Sequence, residues 1–179
     1  MHESHPSLTP RLGISACLLG EPVRFNGGHK RSALCEELAR HVEFVSFCPE
    51  QAIGLGTPRP AIRLEGTPEA AEARSRDGLA VGGALAEYAR RVAQRADTLD
   101  GFIFMQRSPS CGLQRVKVYP EGGGAPRAEG RGRFAAALCE ALPELPVEEE
   151  GRLHDPVLRE NFLTRVYAHA HWQALRQRG

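Results

Sequence analysis

The stretch GFIFMQRSPSCG, Gly101–Gly112, decides how the chain is read. Phe102, Ile103, Phe104 and Met105 run together without a charge, so Gly101–Met105 reads as a short buried strand. The polarity then flips into Arg107-Ser108-Pro109-Ser110-Cys111-Gly112. Two hydroxyls and a thiol in a turn bounded by Pro and Gly are poor core material. They suit an α/β protein that presents reactive groups at the C-terminal end of a strand.

Working outward, the same pattern recurs. Leu12–Leu19 (LGISACLL) reads as the first strand, with Cys17 near its end. Val42–Phe47 (VEFVSF) reads as a second strand running into Cys48-Pro49-Glu50, and Pro49, which has no backbone donor, ends the ladder. Between the strands lie helical patterns. Ser32 suits an N-cap for a helix to His41, with Cys35, Leu38 and Ala39 on one face. Over Gly83–Leu99, Leu85, Ala89, Val92 and Ala96 form a stripe opposite Arg90, Arg91 and Arg95. Phe134–Leu142 reads as a helix of small apolar residues. Asp155 caps a last helix with Pro156 at its first position, and Leu158, Phe162 and Val166 share a face on it, with Trp172 further along. Ala61–Glu65, Leu79–Val81 and Val116–Tyr119 read as short extended segments. The Gly- and Pro-rich runs 20–30, 51–60 and 120–132 read as loops. Strands alternating with helices imply an α/β fold: a mostly parallel sheet covered by helices on both faces, plus a C-terminal helix.

The 179 residues suit one domain over 11–150, a helical extension over 151–179 and a flexible tail over 1–10. With 41% hydrophobic residues, 25% charged residues and a net charge of +1, the chain is an ordinary globular protein without an extended phosphate-binding surface. Nearly all basic residues are arginine, which leaves room for local anion-binding patches. No apolar run approaches the roughly 20 residues that span a membrane, and the polar N-terminus lacks a signal core, so a cytoplasmic protein with no membrane partner is expected. The pattern fixes no oligomeric state.

Five cysteines cannot all pair, and in a reducing compartment each is a buried hydrophobe, a nucleophile or a metal ligand. Cys35 and Cys139 sit among apolar helix residues and read as core. Cys17, Cys48 and Cys111 each fall at a strand end, and a parallel sheet can gather three such ends into one crevice. Three thiolates suit a zinc ion or an iron–sulfur cluster, and no paired histidine stands near in sequence to complete a zinc site. Such a site keeps one coordination position open, and an iron there takes a soft guest such as sulfur.

At these residues the chain resembles the thiouracil desulfidase family. The matching motifs are ISACLLG (Ile14–Gly20), CPE followed by GLGTPRP (Cys48–Glu50 and Gly54–Pro60) and SPSCG (Ser108–Gly112), in that order within roughly 11–145. The resemblance implies a Rossmann-like fold and a [4Fe-4S] cluster held by Cys17, Cys48 and Cys111. The free iron takes the sulfur of a thiolated pyrimidine, which is desulfidated without redox chemistry. It also implies Glu50 as catalytic carboxylate and Ser108 as catalytic serine. Where the family loop usually carries Asp-Gly, this chain has Asn26-Gly27, so no carboxylate role is expected there. Arg24 and Arg59 fit either substrate contacts or loop-anchoring bonds, and Ser110 has no task beyond satisfying the turn. Pro146–Trp172 resembles the joint of longer relatives that carry a helical domain linked to thiolated RNA. The expected substrate is therefore a thiouracil-type base, with 4-thiouridine as a nucleoside or within tRNA as the alternative. A metal-stapled binding module or a sulfur carrier is the non-enzymatic alternative.

Overall fold

The computed structural model describes residues 8–95 and 98–178. Most of the expected tail and Ala96 of the helical stripe lie outside them. Pro10, the last residue assigned to the tail, is buried, and its carbonyl accepts from the Glu43 amide.

Four strands, β1 (Arg11–Ser15), β2 (Glu43–Phe47), β5 (Gly101–Phe104) and β8 (Val147–Glu149), form one sheet in the order β2-β1-β5-β8. Every pairing in it is parallel. The unbroken apolar run of β5 is explained by its central place, since all four of its residues are buried. Helices cover both faces, as expected. On one side α1 (Ala33–Leu38) and α5 (Pro156–Arg178) bring Cys35, Leu38, Phe162 and Val166 against Leu12, Ile14 and Ile103. On the other, α3 (Gly82–Ala93) and α4 (Arg133–Ala141) bring Leu85, Ala89, Phe134 and Leu138 against Phe102 and Phe104. Asp155 caps α5 as its sequence suggests, its Oδ1 accepting from the amides of Val157 (2.8 Å) and Leu158 (3.2 Å).

A second sheet was not anticipated. It has the order β4-β3-β6-β7, from β3 (Ile62–Glu65), β4 (Glu72–Ser75), β6 (Val116–Tyr119) and β7 (Arg127–Gly130). Here β3 pairs parallel with β6, while β4 and β7 run antiparallel on the flanks. Leu64, Val116 and Val118 carry it into the core shared with α3 and α4. The strand expected at Leu79–Val81 reduces to one bridge, between Ala80 and Arg74. The first strand stops at Ser15, and Ala16–Leu19 forms a 3-10 turn instead. Pro49-Glu50, expected to close the second strand, and Gln51-Ala52, expected to open the loop, together form the short helix α2 (Pro49–Ala52), for which Cys48 is the N-cap residue. Pro at the first helical position suits its fixed φ.

Candidate active site

Because β2, β1 and β5 are neighbours and point the same way, their C-terminal ends meet. Cys48 follows β2 directly, Cys17 sits two residues beyond β1, and Cys111 lies in the turn after β5. Strand order reverses between β1 and β5, where doubly wound sheets open a crevice. Gaps of 31 and 63 residues thus collapse into one cleft of about 720 Å³ that Cys17, Cys48 and Cys111 all line, together with Glu50 and Ser108. Ser15, the last residue of β1, helps fix the geometry, since its hydroxyl accepts from the Met105 amide at 2.9 Å beyond β5.

Burial dominates the thiols. It pushes Cys17 up to about 11, with Arg24 opposing and Cys48 adding to the rise. It pushes Cys111 further up, against a hydrogen bond from Ser15. Cys48, half-buried, is also raised by burial, with Arg59 among the opposing groups. These are inert thiols until a cation draws off their protons. Cys35 is fully buried in a core cluster, as its sequence context implies, and Cys139 is half-buried against the other core.

Glu50 projects from the first turn of α2 and uses both carboxylate oxygens. Oε2 accepts from Arg59 Nε at 2.6 Å and Oε1 accepts from Ser110 Oγ at 2.7 Å. The Arg59 side chain is only 4% exposed, so this is a desolvated ion pair whose worth depends on complete hydrogen bonding. That condition is met. Arg59 also donates to the carbonyls of Gly56 (2.7 Å) and Val23 (2.8 Å) and to the Thr57 hydroxyl (3.1 Å). Of the two roles weighed for Arg59, these bonds are the loop-anchoring one, and Arg59 also holds the Glu50 carboxylate. Ser110 is 1% exposed and gains the task it lacked. No local signal could reveal it, since its partner lies 60 residues away.

Ser108 Oγ accepts from the amides of Ser110 (3.2 Å) and Cys111 (3.0 Å), so this hydroxyl shapes the turn that carries the third thiol. Among the described residues nothing accepts its proton, and Ser108 lines the cleft. The first turn of α4 clamps the loop from behind: the Arg133 amide donates to the Pro109 carbonyl, and those of Phe134 and Ala135 to the Ser110 carbonyl.

A basic rim surrounds the chemistry, with Arg24, Lys30, Arg107, Arg115 and Arg152 lining the cleft. Glu149, from the end of β8, lines it too.

A model of the 2-thiouracil desulfurase family matches residues 12–150. The chain belongs to this family. It is 33% identical over 107 residues to the uncharacterised protein YbbK of Bacillus subtilis (strain 168), a match covering 55% of this chain and 71% of that protein. Among solved structures it is similar to a [4Fe-4S]-dependent thiouracil desulfidase, TudS, with a TM-score of 0.67 and 28% identity, over 86% of this chain and 99% of the other. The matched span takes in all three cysteines, Glu50, Ser108 and the last strand of the parallel sheet, and ends before α5.

Proposed function

We propose that this protein removes sulfur from a thiolated pyrimidine by hydrolysis, exchanging the C=S group for C=O and releasing hydrosulfide. The observation that carries the reading is the convergence of Cys17, Cys48 and Cys111 with the Glu50–Ser110–Arg59 cluster in one cleft. Three thiols at the ends of three adjacent strands suit a [4Fe-4S] cluster, which Cys17, Cys48 and Cys111 would hold. When bound, the cluster supplies a Lewis-acidic iron with an affinity for the substrate sulfur.

The chain's own groups supply the rest. Glu50 accepts a proton from the attacking water and returns it to the departing sulfur. Arg59 and Ser110 fix the carboxylate while it does so. Ser108, its oxygen already engaged by two amides, donates its proton to the ring or the water. All five cysteines are free thiols, in keeping with the cytoplasmic location we assign.

Anaerobic reconstitution followed by incubation with 2-thiouracil, 4-thiouracil and 4-thiouridine tests this. About four iron and four sulfide per chain are expected, with hydrosulfide release matching loss of the thiocarbonyl absorbance. Stoichiometric zinc without iron, or a cluster with no sulfide release from any of the three, overturns it.

The basic rim favours a second reading of the substrate, a thiolated nucleotide or tRNA. The cleft is larger than a free base needs, and besides Arg59 five cationic residues line it. Binding through phosphates weakens steeply with salt, whereas binding of a free base does not. A flat salt profile for the nucleotide removes this reading.

A further inference from the structure

Glu149 and Glu150 are adjacent buried carboxylates, 5% and 7% exposed, at the end of the fourth strand in the line β2-β1-β5-β8. Glu150 is fully used within the protein. Its Oε1 takes Ser32 Oγ (2.7 Å) and His154 Nε2 (2.7 Å), and its Oε2 takes Gln106 Nε2 (3.4 Å). Glu149 is not. Its Oε1 accepts from the amides of Leu113 (2.8 Å) and Gln114 (3.3 Å), which fixes the side chain against the segment following Cys111. Its Oε2 has no hydrogen-bond partner among the described residues, and the side chain lines the cleft. Arg115 and Arg152 line the same cleft, yet among the described residues neither comes within ion-pair distance of Glu149. Nor is Oε2 sealed in the core: among the described residues the one fully enclosed side-chain polar atom without a partner is Arg133 Nε. A carboxylate this buried, with one oxygen anchored and the other open to the cleft, is complete only when a donor arrives.

We propose that Glu149 Oε2 accepts the ring N3–H, which flanks the thiocarbonyl of both 2-thiouracil and 4-thiouracil, and so selects the ring and sets which edge meets the cysteines. The proposal rests on the thiopyrimidine reading of the cleft. A carboxylate can only accept, and a thiopyrimidine in its thione form offers an N–H beside the sulfur-bearing carbon. Glu50, bound to Ser110 and Arg59, is already assigned to the attacking water. Glu149 approaches from β8, on the side of β5 away from β1, whose end carries Cys17.

Equilibrium binding of uracil and 3-methyluracil, which cannot be turned over, separates recognition from chemistry. The wild-type protein is expected to bind uracil about 10- to 100-fold more tightly than the N-methylated ring, the range for one hydrogen bond to a charged group. In Glu149→Gln the amide oxygen still serves Leu113 and Gln114, but a donor faces the cleft. That ratio is then expected to fall to near one, with the melting temperature held. If the amide variant melts too low for use, Glu149→Asp decides alongside wild type, since it keeps the charge and the preference for uracil. A ratio near one in wild type, an unchanged ratio in Glu149→Gln, or no binding of uracil overturns the proposal. Hydrosulfide release by wild type from the thiolated bases reports separately on the reaction: turnover without N–H discrimination leaves the desulfidase reading standing and removes Glu149 from it.

Discussion

At the scale of the residue, Arg59 and Ser110 hold the Glu50 carboxylate still. Glu50→Gln keeps a side chain that can bond Ser110 and Arg59 but cannot take a proton from water. It is expected to lower kcat by about 10²- to 10⁴-fold, the usual worth of a general base, while iron content and cluster absorbance stay at wild-type levels. Ser110→Ala leaves the carboxylate and removes one donor, so its loss is smaller, about tenfold. Full activity in Glu50→Gln, measured as hydrosulfide release per cluster, removes Glu50 from the chemistry. The thiols were legible in the sequence because a strand's end can be recognised locally: an apolar run, then Pro or Gly. Ser110 and Glu149 were not, because their meaning lies in partners 60 and 36 residues away. Arg59 was legible only as an alternative, since its Glu50 partner is close in sequence but no pattern says that the two face each other.

At the scale of the element, the loop carrying Cys111 is held between Ser108 and the start of α4. Gly132 makes this close approach possible. A Cβ there would stand 2.6 Å from the Ser110 carbonyl group and 2.8 Å from the Cys111 amide, backbone atoms that cannot swing aside. Gly132→Ala therefore displaces either α4 or the thiol loop. It is expected to destabilise by about 1–3 kcal/mol and to lower iron retained per chain more than it lowers helical content. Wild-type iron loading in this variant shows the clamp to be dispensable. The same scale explains which elements were missed. Strand β7 (RAEG) and strand β8 (VEE) have no run of apolar residues, and three of the four β7 side chains are exposed. Such strands exist because a neighbour offers a ladder, and that offer is not written in their own composition. The parallel strands β1 and β5 were legible because burial on their faces demands apolar residues, and the edge strand β2 through half-buried Phe44, Val45 and Phe47.

At the scale of the molecule, the C-terminal helix is part of the core. The sequence placed Phe162 and Val166 on one face of α5, and that face meets Leu12, Ile14 and Ile103 of the parallel sheet. Phe162 is fully buried, so Phe162→Ala should cost about 3–5 kcal/mol, read as a lower urea midpoint, whereas Trp172→Ala, at a site 56% exposed, should barely move it. Equal midpoints for Phe162→Ala and wild type would make the helix an appendage after all. Glu150 ties this helical end to the cleft, since its carboxylate joins Ser32 at the cap of α1, His154 before α5 and Gln106 beside the cysteines. Burial alone would raise its pKa, but hydrogen bonds from Ser32, His154 and Gln106 prevail and hold it below the ordinary carboxylate value of 4.5. A carboxylate lowered on folding stabilises the fold at pH above its unfolded value, and that contribution fades as the pH falls through the folded value. Wild type should thus be more stable than Glu150→Gln at neutral pH, and the difference in urea midpoint should shrink below pH 4.5 as wild type loses its advantage. A gap that stays constant from neutral pH into that acid range would mean that the charge on Glu150 does nothing for the fold, and that the junction is held by shape alone.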